Sequence, residues 1–166
     1  MSEPTPLPVA VQVLPELPRY LLRTADPLAL SDALGLPLPA RIGQGAATSE
    51  HTALRLGPDE WMIASRTGIE LTEPQTDTLF SLVDVSDREL TIEISGPGSL
   101  AALAAGCPRD LSGLAVGGGV RTVYEHVPVV VLRRSADTFE LNVWRSYVPH
   151  IKHVLTAVQK ELAIGL

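Results

Sequence analysis

The sequence is poor in cysteine and in aromatic residues. It contains one cysteine, Cys107, and aromatic side chains make up 4% of its 166 residues. A single cysteine excludes an internal disulfide and is typical of a reduced compartment, so we expect a cytoplasmic protein. With so few aromatics, the core must be built from Val, Leu, Ile and Ala. The contents of 45% hydrophobic and 19% charged residues nevertheless indicate an ordinary globular protein.

Positive charge is scarcer than negative charge, and the given sequence contains no long hydrophobic run. Thirteen Lys and Arg residues stand against 19 Asp and Glu, which gives a formal net charge of −6. Phosphate recognition needs clustered basic residues, so neither nucleic acid nor a membrane is an expected partner. The longest apolar run, residues 127–132, is far below the ~20 residues that span a bilayer. No basic segment followed by an apolar run opens the chain, so we expect no signal peptide.

Proline is abundant near the N-terminus. Residues 1–19 contain five prolines, and each ring fixes φ and removes an N–H donor, which disfavours a helix or an inner strand. We therefore predict a Pro-rich extended arm over residues 1–19, followed by a single domain over residues 20–166. The sequence leaves open whether the arm is a disordered tail or lies along a partner.

Helical and strand patterns follow the arm. Asp26 before Pro27 predicts a helix that ends near Leu34, a second short helix follows Gly96-Pro97, and a longer C-terminal helix has one apolar stripe. Strands are predicted at residues 52–56, 61–64, 80–85, 90–95, 120–127, 129–133 and 139–144, with residues 38–50 as a loop. Residues 90–95 alternate between apolar and polar side chains, which indicates one packed and one wet face.

A weak internal repeat runs through these elements. Residues 26–37 and 96–108 each predict a helix with proline at its start and a Gly-x-Pro stop, and each is followed by a loop and a hairpin. Two such halves predict an α+β fold, pseudo-duplicated, in which one antiparallel sheet has its helices packed on one face.

Two groups of side chains could in principle support chemistry. His150 and His153 have a spacing that can share a metal, but no carboxylate or cysteine nearby completes a site. Asp84, Asp87 and Glu89 could act as acid and base, yet they bracket a turn in which Asp satisfies free backbone donors. Surface histidines and turn carboxylates are the favoured interpretations. We predict no catalytic, cofactor-binding or metal-binding residue.

Glycine-rich segments and the cysteine give no firmer signal. Residues 95–99, Ser-Gly-Pro-Gly-Ser, open a helix whose N–H groups could hold an anion, but they lack the phosphate-loop pattern. Residues 117–119, three glycines, are no dinucleotide fingerprint, because no helix follows them. Cys107 has no base beside it, so a small buried core residue is the better interpretation.

Aromatic residues near the end of the last strand are more informative. Trp144 falls on the polar face of that strand, next to Arg145 and close to Tyr147. Trp, Tyr and Arg are enriched at protein interfaces, so these three residues are our interface candidates. The open alternative is that a helix or the N-terminal arm covers Trp144.

An ordered series of short motifs resembles a known family. The motifs are residues 56–61 (Leu-Gly-Pro-Asp-Glu-Trp), 83–88 (Val-Asp-Val-Ser-Asp-Arg), 95–97 (Ser-Gly-Pro), 106–111 (Gly-Cys-Pro-Arg-Asp-Leu), 139–141 (Phe-Glu-Leu) and 144–147 (Trp-Arg-Ser-Tyr). In this order, over about residues 20–162, they resemble the gamma subunit of heterotetrameric sarcosine oxidase. The resemblance implies a fold related to the folate-binding domain of aminomethyltransferases, the glycine-cleavage T-proteins.

The resemblance also implies a role and partners. It implies a non-catalytic structural subunit with no cofactor of its own, while alpha, beta and delta subunits carry the flavins, NAD, folate and zinc and demethylate sarcosine oxidatively to glycine. Aminomethyltransferases supply an acidic residue to folate from a segment that matches residues 126–136, where this chain has no Asp or Glu. The alternative is a free-standing tetrahydrofolate-binding protein, with Asp84 or Glu125 as the carboxylate.

Overall fold

Two antiparallel sheets and three α-helices make up the part of the chain that the structure describes. In the computed structural model, residues 5–165 are described. The strands are β1 (Ala10–Val13), β2 (Arg19–Thr24), β3 (Gly45–Ala47), β4 (His51–Arg55), β5 (Glu60–Ser65), β6 (Phe80–Asp84), β7 (Glu89–Ser95), β8 (Gly119–Tyr124), β9 (Val127–Ser135) and β10 (Thr138–Trp144). The helices are α1 (Pro27–Leu34), α2 (Ser99–Ala104) and α3 (Val148–Ala163). The predicted α+β class is confirmed.

The chain divides into two compact units. Unit 1 comprises residues 5–15, 88–116 and 121–165, and its sheet has the strand order β1-β7-β10-β9-β8. Helices α2 and α3 contact each other and both contact β7, so they share one face of this sheet. The side chains of Ile92, Ile94 and Leu141 are fully buried on the central strands.

Unit 2 comprises residues 16–87 and 117–120, and its sheet has the order β3-β4-β5-β2-β6. Helix α1 begins as its sequence predicts: the Asp26 side chain accepts a hydrogen bond from the Ala29 N–H, and Pro27 occupies the first turn. Gly35 ends the helix in the left-handed conformation at φ 60°. Leu30 and Trp61 lie in the unit's core cluster.

The predicted duplication is visible in the topology. Each half of the chain runs strand, strand, helix and three strands, and β3-β4-β5-β2 of unit 2 has the same order as β8-β9-β10-β7 of unit 1. The fifth strand of each sheet is exchanged: β1 pairs with β7 of the second half, and β6 pairs with β2 of the first. The ten strands therefore form two sheets, whereas one sheet was predicted.

The described part of the N-terminal segment, residues 5–15, packs against other parts of the same chain. Residues 1–4 of the predicted arm lie outside the described residues. Strand β1 is an edge strand, which fits the exclusion of inner strands by proline, and it pairs with β7 from Ala10↔Ser95 to Val13↔Ile92. The carbonyl of Val9 accepts a hydrogen bond from the Gln159 side chain at 2.7 Å, and the Leu7 N–H donates to the Leu162 carbonyl at 2.9 Å. The interpretation of the arm as a disordered tail is therefore corrected for residues 5–15, whereas contact of the arm with a partner stays a prediction.

Besides β1, two further strands were not predicted, and one face of β7 was misjudged. Residues 19–24 and 45–47, the latter expected to be loop, form β2 and β3. The face of β7 expected to be wet carries buried Thr91, whose hydroxyl donates to Asn142 Oδ1 at 2.8 Å. A paired hydroxyl and amide can be buried at little cost, so a polar side chain in the alternation did not mark a wet face.

Candidate interaction surface

A single 3₁₀ turn, Arg145–Tyr147, joins β10 to α3 and positions the aromatic interface candidates. Side chains three residues apart nearly eclipse in a 3₁₀ turn, so Trp144 and Tyr147 project from the same side. Their ring centroids lie 6.4 Å apart at an interplanar angle of 35°. This tilted geometry is a favourable arrangement of aromatic quadrupoles.

Both rings are accessible in this chain. Trp144 is 48% exposed and Tyr147 is 40% exposed, so neither a helix nor the arm covers Trp144. The guanidinium of Arg88 stands over the Trp144 ring at 5.9 Å from its centroid. Arg145 is exposed, and its N–H donates to the Arg88 carbonyl at 2.8 Å, which fixes the Arg88 backbone beside the ring. We name Arg88, Trp144, Arg145 and Tyr147 the aromatic patch.

Sequence reasoning did not identify Arg88 as part of this patch. Strand register brings it there, because Trp144 lies opposite Glu89 on β7, one residue from Arg88. Arg88 also donates to the Glu89 carboxylate at 2.8 Å. The guanidinium is therefore anchored between an anion and a π face, both of which favour its charge.

The acidic turn residues have structural partners. The Asp84 carboxylate accepts hydrogen bonds from the Ser86 hydroxyl at 2.6 Å and the Ser86 N–H at 2.8 Å, and these bonds lower the pKa of Asp84. Glu89 accepts from Arg88, and Asp87 is exposed. A carboxylate whose charged form is already stabilised in a turn is a poor proton acceptor at neutral pH.

The histidines, the cysteine and the glycine-rich helix start are also placed. His150 and His153 are exposed on α3, and within residues 5–165 no group of three or more His, Cys, Asp or Glu could hold a metal ion. Cys107 is buried, with its sulfur 3.7 Å from the Thr122 hydroxyl. The Gly98 N–H, which could have faced an anion, donates to the Pro8 carbonyl at 3.1 Å.

Close packing in the structure explains several of the short motifs on which the family resemblance rests. A Cβ on Gly96, in the motif at residues 95–97, would lie 2.8 Å from the Pro8 carbonyl oxygen, so glycine lets the N-terminal segment pass close to this motif. A Cβ on Gly106 would lie 2.7 Å from the buried ring of Tyr124, whose hydroxyl donates to the Ala102 carbonyl. These motifs position backbone rather than present reactive groups.

The motif at residues 56–61 is held by a residue that precedes it. The Arg55 guanidinium lies 4.7 Å from the centroid of the Trp61 ring and donates to the Gly57, Pro58 and Ala40 carbonyls. The indole N–H of Trp61 donates to the Pro39 carbonyl at 3.0 Å. Trp61 is therefore a core anchor of unit 2, unlike exposed Trp144.

The described cavities do not gather the carboxylates considered for folate. A cavity of about 380 Å³ in unit 2 opens between α1, His51 and residues 69–75, and a cavity of about 280 Å³ in unit 1 adjoins α2 and residues 109–112. Neither is lined by Asp84 or Glu125. Glu125 occupies the β8–β9 turn at φ 46°. The two carboxylates thus do not fit a pterin site in either cavity.

Comparison with known proteins reveals relatives along most of the chain. A family described as "Sarcosine oxidase, gamma subunit family" matches residues 23–161. The sarcosine oxidase subunit gamma of Corynebacterium sp. (strain P-1) is 31% identical over 142 residues, covering 81% of this chain and 70% of the relative. The corresponding subunit of Arthrobacter sp. is 30% identical over 147 residues, covering 84% and 72%.

Solved structures show the same fold. A chain of the heterotetrameric sarcosine oxidase from Corynebacterium sp. U-96, in complex with pyrrole 2-carboxylate, superposes with a TM-score of 0.81 at 23% identity, covering 93% of this chain and 85% of that one. The glycine cleavage system aminomethyltransferase T from Bartonella henselae gives a TM-score of 0.67 at 13% identity, covering 96% and 51%. The likeness to the aminomethyltransferase fold is thereby confirmed. With the family match and relatives at 30% identity and above, these findings show that the chain belongs to the sarcosine oxidase gamma subunit family.

Proposed function

We propose that this chain is a non-catalytic structural subunit of a heterotetrameric, flavin-dependent sarcosine oxidase. Its partners are the alpha, beta and delta subunits, which carry the flavins, NAD, folate and zinc and convert sarcosine to glycine by oxidative demethylation. The assembly is cytoplasmic. No helix within residues 5–165 is long and apolar enough to cross a membrane.

The aromatic patch supports this proposal most directly, because it lies on a chain that belongs to the gamma subunit family. Exposed Trp144 and Tyr147, held beside Arg88 and Arg145, have the composition of an interface centre. Rings that are already oriented lose little side-chain entropy on binding, so the patch is suited to a stable contact. The side chains considered for catalysis are otherwise placed. Asp84 is hydrogen-bonded within its turn, His150 and His153 are exposed on α3, and Cys107 is buried without a neighbouring base.

A free-standing tetrahydrofolate-binding protein is the less supported interpretation. The family match favours the oxidase subunit. In addition, the Asp84 carboxylate is engaged by Ser86, and Glu125 lies in a tight turn, so neither is held in a described cavity where it could meet a pterin.

Affinity purification of the tagged full-length chain from its native cells tests the proposal. The expected result is a yellow complex that contains larger partner chains, shows a flavin absorbance spectrum and consumes oxygen when sarcosine is added. A colourless chain recovered alone, stabilised against heat by tetrahydrofolate, would contradict the subunit role and support the alternative.

A further inference from the structure

Strand β6, at one edge of the unit 2 sheet, presents an apolar border. It pairs with β2 on one side, from Tyr20↔Asp84 to Thr24↔Phe80, and ends the strand order on the other. Phe80 and Leu82 pack against the unit's core cluster. Leu79 is 91% exposed and Val83 is 50% exposed. Within residues 5–165, the outward side of this edge therefore has no neighbouring strand and carries accessible apolar side chains.

One sheet face becomes steadily more exposed toward this border. The register aligns Leu54 with Met62, Met62 with Leu21, and Leu21 with Val83 across β4, β5, β2 and β6. Leu54 and Met62 are buried, Leu21 is half-buried and Val83 is exposed. This row of aligned apolar side chains ends at the exposed Val83, and one more strand beside β6 would extend it.

Apart from Asp84 at its last position, β6 lacks the devices that usually protect an edge strand. Exposed edges are commonly blunted by charged side chains, proline or a bulge. Residues 80–83 of β6 contain neither a charge nor a proline, the exposed Asp84 carboxylate at the end of the strand is bonded to Ser86, and the β2–β6 register runs without a shift. By comparison, the edge strand β8 carries exposed Arg121, and the edge strand β3 has only three residues.

The charge around β6 identifies the chemistry of its partner. Residues 67–87 contain five exposed carboxylates and no Lys, Arg or His. On β2, buried Arg19 lies beside Val85, and Arg23, opposite Ser81, is bound to the Glu60 carboxylate at 2.7 Å. A second copy of this chain would bring an equal set of carboxylates against this border, which disfavours self-pairing.

We propose that β6 receives an extended segment of another subunit, which adds a strand to the unit 2 sheet. The incoming strand presents an apolar side chain next to Val83 and is flanked by Lys or Arg residues that face the carboxylates of residues 67–87. Main-chain hydrogen bonds supply the pairing, and the charges select the partner over a second copy. This inference rests on the proposed subunit role and specifies where one of its contacts is made.

A matched pair of valine substitutions tests the proposal in the full-length chain. Val83→Lys places a cation on the border, whereas Val116→Lys places the same cation at an exposed valine in a loop of unit 1. We expect Val83→Lys to reduce recovery of the partner subunits at least tenfold in the affinity purification, and Val116→Lys to leave it unchanged. Asp77→Lys, which lies outside the strand, should reduce recovery about threefold and supplies evidence if Val83→Lys folds poorly.

Amide hydrogen exchange separates strand addition from simple surface contact. Amides of residues 80–84 should exchange at least tenfold more slowly in the purified complex than in the isolated chain. Full recovery of partners with both Val83→Lys and Asp77→Lys, or unchanged exchange at β6, would overturn the inference while leaving the subunit role intact. An isolated chain that dimerises and is made monomeric by Val83→Lys would also overturn it. If the wild-type chain recovers no partner, the inference fails together with the proposed function.

Discussion

At the scale of single residues, Trp144 shows how a few contacts turn an exposed aromatic ring into a defined surface feature. The ring is oriented by Tyr147 within one 3₁₀ turn and by Arg88 across the end of β7. The sequence alternation placed Trp144 on the polar face of β10 and left open whether a helix or the arm covers it; the structure shows the ring exposed. The contribution of Arg88 depended on strand register, which a single sequence does not reveal.

Substitution of Trp144 should weaken assembly without unfolding the chain. Trp144→Ala removes an exposed ring, so the melting temperature should change little, whereas affinity for the partner subunits should fall roughly thirtyfold, as for an interface hot spot. Size-exclusion chromatography at decreasing concentration measures this loss. Leu28→Ala, at an exposed leucine of unit 2, is the control and should behave as wild type. Equal dissociation of both variants would contradict the interface role.

The buried Tyr124 hydroxyl should make stability depend on alkaline pH. Burial, with smaller contributions from Glu125 and Cys107, raises the pKa of Tyr124 to about 12, above its ordinary value of 10.0. The folded state thus retains the proton more strongly than the unfolded state. This contribution to stability is complete below pH 10 and is lost as the pH rises through about 12.

Chemical denaturation of the wild type and of Tyr124→Phe between pH 9 and pH 12 measures this effect. The variant should be less stable by about 1 kcal/mol at pH 9, since the Ala102 carbonyl loses its donor. Its further loss between pH 10 and pH 12 should be smaller than that of the wild type. Parallel pH profiles would show that another group controls the alkaline loss.

At the scale of elements, local signals predicted the helices and most strands. Asp26, Pro27 and Gly35 fixed both ends of α1, and the alternation of Phe139, Leu141 and Val143 marked β10. Strands β2 and β3 were missed for different reasons. Residues 19–24 combine two arginines with a run of apolar residues after a proline-rich segment, and residues 45–47 are Gly and Ala with weak strand propensity. Their strand structure comes from pairing with β5, β6 and β4.

The β8–β9 turn was also not predicted, and its backbone is strained by two non-glycine residues with positive φ. Glu125 and His126 occupy a two-residue hairpin loop with φ values of 46° and 67°. Such a turn prefers Asn-Gly, so Glu125-His126 carries no turn signal and strand was predicted through Val127. His126→Gly should stabilise the protein by about 0.5–1 kcal/mol, because glycine adopts positive φ without strain.

Thermal denaturation compares His126→Gly with Ala136→Gly in the β9–β10 turn. Ala136 does not have a positive φ, so glycine there should not stabilise the protein. A lower melting temperature for His126→Gly than for the wild type would show that the imidazole makes a contribution larger than the strain.

The N-terminal segment behaves as part of unit 1 and should be required for its stability. Removal of residues 1–15 would expose the edge of β7, free the Gly98 N–H and uncover the apolar surface that buried Val9 covers, which alone costs about 1.5 kcal/mol. We expect the truncated chain to melt well below the wild type and to exchange the amides of β7 faster. An unchanged melting temperature would show that the segment contributes nothing to folding.

At the scale of the whole molecule, the chain is a duplicated strand–strand–helix–three-strand unit whose first strands are exchanged between the two sheets. The sequence revealed the repeat through its two helix stops, but the exchange of β1 and β6 could not be predicted, because it depends on pairings between distant residues. The candidate surface was predicted only in part: three of its four residues were named from composition and alternation. The apolar border at β6 was not predicted, because it depends on β6 being the edge strand of the unit 2 sheet.

We propose that this chain contributes structure rather than chemistry to the oxidase, and turnover per bound flavin is the measurement that distinguishes the two roles. The partner subunits would be produced with and without this chain, and oxygen consumption with sarcosine would be normalised to flavin content beside the yield and melting temperature of the complex. We predict a lower yield and melting temperature without the chain, with the same turnover per flavin in the complex that survives. A stable, flavin-loaded complex that is inactive until this chain is added back would contradict the account.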